Sequence, residues 1–135
     1  MRKFAFLIVL SFFSTACSPE QDDSPDFYLE VLPVKDVVLP SEFILGQTYE
    51  IKIKYEAPNE CYSFKNFTIT GHGKERTVGI VNSVEVNESC NEVSKEVEVS
   101  FDFTVDETDL FVFKFYQGWR NNQKEFIVKE IPVIK

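Results

Sequence analysis

A strict alternation of apolar and polar residues marks the segment 49–56 as a β-strand. Its odd-numbered positions are aromatic or aliphatic, and its even-numbered positions are charged. The apolar set is Tyr49, Ile51, Ile53 and Tyr55, and the charged set is Glu50, Lys52, Lys54 and Glu56. A period of two places successive side chains on opposite faces of a sheet. The segment is therefore predicted to be a strand with one dry face and one wet face, as in many antiparallel sheets.

The longest alternation in the chain covers residues 93–105. Its predicted inward-facing residues, interrupted only by Lys95, are Val93, Val97, Val99, Phe101, Phe103 and Val105. The residues between them are small or acidic, apart from Lys95 itself. An α-helix, with about 3.6 residues per turn, would scatter the apolar residues around its circumference. We therefore expect a second strand here and not a helix.

Further segments have the composition of strands and are separated by turn residues. They are 27–34, 62–70, 77–86, 110–116 and 125–133. Pro33 and Pro40 indicate that the first is an edge strand with a break. The second and third flank Gly71-His72-Gly73-Lys74, which is predicted to be a hairpin turn. The segment 110–116 is apolar on both faces apart from Lys114, as expected for a strand in the middle of the core.

Seven or eight short strands predict an all-β fold, a two-sheet sandwich of antiparallel strands over residues 27–135. This pattern resembles that of immunoglobulin-like domains. It departs from the antibody pattern in one respect, because Trp119 follows both Cys61 and Cys90 instead of lying between them. Residues 17–26 precede the domain and are predicted to form a tether.

The N-terminal segment has the proportions of a secretory signal. Arg2 and Lys3 precede residues 4–13, in which nothing is more polar than Ser11. The apolar run is shorter than the roughly 20 residues that a membrane-spanning helix needs. It matches the hydrophobic region of a signal peptide.

Residues 14–17, Ser-Thr-Ala-Cys, resemble the lipobox of bacterial lipoproteins. The resemblance implies that the signal peptide 1–16 is cleaved and that Cys17 is diacylated, becoming the first residue of the mature chain. Two or three acyl chains would give stable membrane attachment. Ser14 stands where the family usually has leucine. Because Ser14 and Ala16 also fit ordinary signal peptidase, plain secretion is the alternative.

The three cysteines are consistent with lipidation of the first. If Cys17 carries a lipid, Cys61 and Cys90 remain and can form a disulfide; otherwise an odd thiol is left in an oxidising compartment. The alternatives are a redox pair and a set of metal ligands. The chain has no CxxC spacing, which disfavours a redox pair, and only one histidine, His72, which disfavours a metal site. The predicted bond would close the open end of the hairpin, with a bulge or bend near residues 87–89 correcting the register.

The charge of the mature chain excludes some partners. The whole chain has 14 basic and 22 acidic residues; loss of Arg2 and Lys3 leaves 12 basic residues and a net charge of −10. Such a chain lacks the basic stripe of a nucleic-acid-binding protein. It would also be repelled by anionic lipid headgroups, so the lipid is the only expected membrane contact.

The tether is polar and acidic. Glu20, Asp22 and Asp23 resemble the signal that sends some lipoproteins to the outer face of the outer membrane, and a plain spacer is the alternative. We expect the protein to be lipid-anchored to the bacterial outer membrane, facing the periplasm or the cell surface.

Residues with catalytic or metal-binding potential are few. His72 lies between two glycines in a turn, and no nucleophile or second base is paired with it. Asp106, Glu107 and Asp109 form a weak calcium candidate, whose spacing does not match an EF-hand loop. The sequence therefore predicts no enzyme and no cofactor other than the covalent lipid on Cys17.

The predicted last hairpin loop, residues 116–123, is the best candidate for partner or glycan contact. Its candidate residues are Tyr116, Trp119, Arg120, Asn121 and Asn122. Tryptophan, tyrosine and arginine are enriched at binding hot spots. Alternatively, Trp119 folds back to cap the sandwich and the two asparagines make the turn.

Three functions follow, in order of preference. The first is a cell-envelope lipoprotein whose sandwich is a non-enzymatic binding or structural module for an envelope or surface partner. The second is a glycan-binding surface lipoprotein, and the least favoured is a small hydrolase.

Overall fold

The computed structural model describes residues 16–18, 26–86 and 89–135. Most of the predicted signal peptide, the acidic residues Glu20, Asp22 and Asp23, and residues 87–88 of the predicted bend lie outside the described residues. Cys17 is exposed and has a free thiol. Within the described ranges, no helix has the length and apolar character needed to cross a bilayer.

Nine β-strands make up the regular structure of the described residues. In chain order they are β1 (Phe27–Leu32), β2 (Val34–Val38), β3 (Phe43–Ile44), β4 (Thr48–Ala57), β5 (Tyr62–Thr70), β6 (Glu75–Glu85), β7 (Lys95–Thr104), β8 (Asp109–Arg120) and β9 (Gln123–Ile134). They form one six-stranded sheet and one three-stranded sheet, with the order β2-β4-β7 in the smaller. The predicted all-β, two-sheet sandwich is confirmed.

Strand β6 is the branch point of the larger sheet. One of its edges pairs with β5, antiparallel, from Thr77 to Val84. Its other edge is shared, because β8 pairs in parallel with Glu75–Val78 and β1 pairs antiparallel from Ile80 to Glu85. β9 follows β8, and β3 lies parallel to β9. The sandwich therefore has nine strands and two parallel pairings, where the sequence predicts seven or eight antiparallel strands.

The predicted strand at residues 27–34 is divided at Pro33. β1 ends at Leu32 in the six-stranded sheet, and β2 begins at Val34 in the three-stranded sheet. Proline has no N–H to donate to a ladder, so it suits a position where the chain leaves one sheet for the other. The break was predicted, but the change of sheet was not.

The core lies between the two sheets and is rich in phenylalanine. β8 contributes Phe111, Phe113 and Phe115, which are fully buried, and β4 contributes Ile51, Ile53 and Tyr55. Phe43 packs on the same cluster, with its ring centroid 6.0 Å from that of Phe111. Truncating a buried phenylalanine to alanine typically costs about 3–5 kcal/mol. The dry face predicted for β4 is therefore the centre of the core.

The alternation predicted from residue 93 is wrong at its start. β7 begins at Lys95, which pairs with Ala57 at the end of β4, and Val93 is 64% exposed. β4 ends at Ala57, so no β4 residue can pair with the residues before Lys95. The alternating sequence pattern therefore starts before the strand does. From Val97 onward the predicted inward-facing residues do pack against the core.

The predicted disulfide between Cys61 and Cys90 is confirmed. The two Cα atoms are 5.5 Å apart, and the residues are 29 positions apart in sequence. Cys61 immediately precedes β5, and its carbonyl accepts a hydrogen bond from the Glu85 N–H at the end of β6. The bond therefore closes the open end of the hairpin, where restriction of the unfolded chain contributes about 3–4 kcal/mol. An irregularity in the hairpin register lies in β5, between Phe64 and Asn66.

Candidate ligand-binding groove

The connection between β8 and β9 is a two-residue turn. Asn121 and Asn122 both have positive φ, 51° and 60°, as in the type I′ turns that join paired strands most tightly. The strands consequently pair up to Arg120 and Gln123. The predicted eight-residue loop 116–123 is therefore wrong, and Tyr116, Trp119 and Arg120 belong to β8. Asparagine tolerates the left-handed conformation, which is why two residues suffice.

A β-bulge directs Trp119 to the same face of the sheet as Tyr116. Residues three apart in a regular strand point to opposite faces. Here the register shifts between Tyr116 and Gly118, so that Tyr116 pairs with Phe126 and Trp119 pairs with Lys124. Gly118 has a φ of 101°, a conformation that glycine adopts without a steric penalty. Bulges often re-aim a side chain in this way.

The bulge places an aromatic wall on the outer face of the six-stranded sheet. The Tyr116 and Phe126 rings are in edge-to-face contact, with centroids 6.2 Å apart. The Lys124 ammonium lies 5.7 Å from the centroid of the Trp119 ring. Trp119 is 65% exposed. The alternative interpretation is therefore wrong for Trp119, which does not cap the sandwich, and is confirmed for Asn121 and Asn122, which make the turn.

Threonine side chains provide the opposite wall. Thr68 pairs with Gly79, and Thr70 pairs with Thr77, so these residues share the outer face. They lie where β8 diverges from β6 and β1 replaces it, since β8 pairs only as far as Val78. The aromatic and threonine walls together enclose an open groove of about 440 Å³. This volume is within the range of roughly 300–1,000 Å³ that is typical of small-molecule sites.

Gly79 keeps the floor of the groove open. A Cβ atom at this position would lie 2.8 Å from the Thr68 methyl carbon and 3.2 Å from a Val31 methyl carbon. Any side chain here would therefore have to displace both neighbours and would project into the groove. Glycine is needed here because it has no side chain, and not because the backbone has an unusual φ.

The other predicted contact residues lie beside the groove. Arg120 forms an ion pair with Glu125, with 3.6 Å between Nε and Oε1. Both line a smaller recess of about 130 Å³ with Gln117, and Trp119 separates it from the main groove. Asn121 and Asn122 form the turn and line neither space. Sequence reasoning missed Lys124, Phe126 and the threonines, which come from other strands.

The weak calcium candidate is not assembled by the described residues. Lys74 donates a hydrogen bond of 2.7 Å to the Asp109 carboxylate, and this bond lowers the pKa of Asp109. Among the described residues, no group of three or more His, Cys, Asp or Glu side chains is arranged to hold a metal. Asp106 and Glu107 are exposed in the β7–β8 connection, and His72 is exposed in the hairpin turn.

A second polar cluster lies inside the sandwich, at the β1–β6 pairing. Asn82 is fully buried and accepts a 3.0 Å hydrogen bond from the Tyr55 hydroxyl. Its register partner is Glu30, to which the Tyr62 hydroxyl donates a hydrogen bond that raises the pKa of Tyr62. In the sequence, a polar residue at an inward position of β6, between Ile80 and Val84, is the feature that could have indicated this cluster.

Neither a protein-family model, nor a curated protein, nor a solved structure matches this chain.

Proposed function

We propose that this chain is a lipid-anchored protein of the bacterial cell envelope whose sandwich binds a saccharide, without catalysis, in the outer groove. The observation that carries the proposal is the exposed Trp119 ring, held by the bulge on the same face as Tyr116. A buried tryptophan would serve the core, whereas this ring leaves a large apolar surface in water. The ring shares this surface with Val31, Tyr116 and Phe126, and a contiguous exposed apolar patch of this kind favours a binding site.

The chemistry of the groove matches that of a sugar. A pyranose presents C–H groups on one face and hydroxyl groups around its rim. The aromatic rings of Trp119 and Tyr116 suit the C–H face of the sugar. The hydroxyls of Thr68, Thr70 and Thr77 can donate hydrogen bonds to the sugar hydroxyls and accept hydrogen bonds from them. A mostly apolar groove with a few polar groups is typical of ligand sites.

The proposed location follows from the N-terminal segment. Lipidation of Cys17 would attach the chain to the outer membrane, and the tether would separate the sandwich from the lipid. The exposed position of Cys17 is compatible with this modification. The acidic sandwich would then depend on the acyl chains for membrane contact.

A test of the saccharide site compares variants on an immobilised oligosaccharide array. Trp119→Ala is expected to lose binding, while its thermal stability stays within a few degrees of the wild type because the ring is mostly exposed. Gly79→Val should also lose binding, since it fills the groove floor without replacing any aromatic residue. Val93→Ala is the matched control, because Val93 is equally exposed and lies outside the groove.

Two outcomes would contradict the proposal. One is that the wild-type sandwich binds no oligosaccharide on the array. The other is that Trp119→Ala binds as the wild type does.

The second candidate function is docking of an envelope protein, which the sequence alone ranks first. Leu29 and Val128 are each more than half exposed, and their register neighbours place them on the same outer face as the groove. Their apolar surface favours a protein partner. Crosslinking in cells distinguishes the two functions: a protein adduct that persists in Trp119→Ala and is lost in Leu29→Ser supports docking.

A further inference from the structure

None of the described residues that line the groove is acidic, although the chain as a whole is strongly acidic. The sequence has 22 acidic and 14 basic residues. Within the described ranges, Lys124 is the single charged residue among those that line the groove. The groove is therefore a local exception to the charge of the molecule.

Lys124 is not neutralised by a carboxylate in the described part of the chain. The ion pairs there involve Lys35, Lys52, Lys74, Lys114 and Arg120. The neighbouring acid, Glu125, points to the opposite face of β9 and pairs with Arg120. The Lys124 ammonium instead lies 5.7 Å from the centroid of the Trp119 ring, which is proposed to contact the sugar. Its ammonium group is available to a ligand that already contacts Trp119.

We infer that the groove prefers acidic saccharides, with the Lys124 ammonium bound to a carboxylate of a uronic-acid type of sugar. This inference rests on the proposed function and specifies its ligand class. Hydrogen bonds between two charged groups are stronger than those between neutral groups. A carboxylate on the sugar would also meet no acid among the described residues that line the groove. A neutral sugar would leave the lysine solvated and gain only the stacking and hydroxyl contacts.

The test uses two probes with the same sugar backbone, one with free carboxylates and one with methyl esters. An oligogalacturonate and its fully methyl-esterified form are titrated into the complete sandwich, and dissociation constants are measured by calorimetry at low and at high salt. The acidic form is expected to bind about tenfold more tightly, with a difference that shrinks as salt rises. Lys124→Gln should abolish the difference in affinity between the acidic form and the ester.

Lys129→Gln is the matched control. It lies on the same strand, changes the net charge equally and does not line the groove. Equal binding of the acid and the ester would overturn this inference and leave the proposed function standing. A preference for the acid that survives in Lys124→Gln, or falls equally in Lys129→Gln, would also overturn it. Failure of both forms to bind would count against the inference and the proposed function together.

Discussion

At the scale of single residues, Tyr62 links the buried polar cluster to the pH dependence of stability. Its hydrogen bond to Glu30, followed by burial, raises the pKa of Tyr62 above its ordinary value of 10.0. Burial also raises the pKa of Tyr55. Both hydroxyls are therefore held in the protonated form by the fold. The unfolded chain loses these protons first as the pH rises.

The expected result is a loss of stability in alkali. The contribution of Tyr62 is complete below about pH 10 and is lost as the pH rises from there towards the higher pKa of the folded state. Urea unfolding between neutral pH and about pH 11 should show the free energy of unfolding falling in the wild type and falling less steeply in Tyr62→Phe. If the free energy of unfolding fell equally with pH in the two proteins, Tyr62 would have no part in the loss of stability.

Individual residues also show what the sequence could and could not predict. The alternation at Ile51 and Ile53 predicted buried positions correctly, because a period of two is a local property of the strand. The same reasoning failed at Val93, where the outcome depends on whether a neighbouring strand extends far enough. Lys124 and Gly79 gave no local signal, since each acquires its role from residues on other strands.

At the scale of elements, the bulge in β8 decides whether the groove has an aromatic wall. Gly118→Ala is expected to destabilise the fold by about 1 kcal/mol or more, because an alanine is strained at positive φ. Gly46→Ala provides the control, since Gly46 also has positive φ, 85°, and a Cβ there would meet no atom within 4 Å. Both variants should lose stability to a similar extent in urea unfolding.

Only the change at Gly118 should alter the site. If relief of the strain shifts the bulge, Trp119 changes its exposure, and the emission maximum of this single tryptophan reports the change directly. Gly46→Ala should retain the wild-type spectrum. An unchanged spectrum and unchanged saccharide binding in Gly118→Ala would mean that the bulge does not depend on glycine.

Pairings between distant strands explain most of the difference between the predicted and the observed elements. The β5–β6 hairpin and the disulfide were predictable, since they involve neighbouring segments and few alternatives. The parallel pairing of β6 with β8 was not, because its partners are separated in sequence by β7. The groove forms where that pairing ends. A site of this kind cannot be located from the order of strands alone.

At the scale of the whole molecule, charge and anchoring constrain each other. The mature chain would have ten more acidic than basic residues, so an anionic membrane surface would repel it. Attachment would therefore depend entirely on the acyl chains. Cys17 alone would carry them, two chains through a diacylglyceryl group on its sulfur and a third on its amino group, and the sandwich would contribute no attraction of its own.

The last prediction separates this arrangement from plain secretion. Cys17→Ser is expected to move the protein from the membrane pellet to the soluble fraction and to abolish labelling by an alkyne fatty acid, because the modified sulfur is absent. Cys61→Ser is the control, since it removes a cysteine that the disulfide uses and should leave lipid labelling intact. Protease treatment of intact cells then decides the orientation. Loss of the sandwich while a periplasmic marker survives would place the groove at the cell surface, where external saccharides can reach it; protection would restrict its ligands to those of the periplasm. Labelling by the fatty acid that persists in Cys17→Ser would contradict lipidation at Cys17.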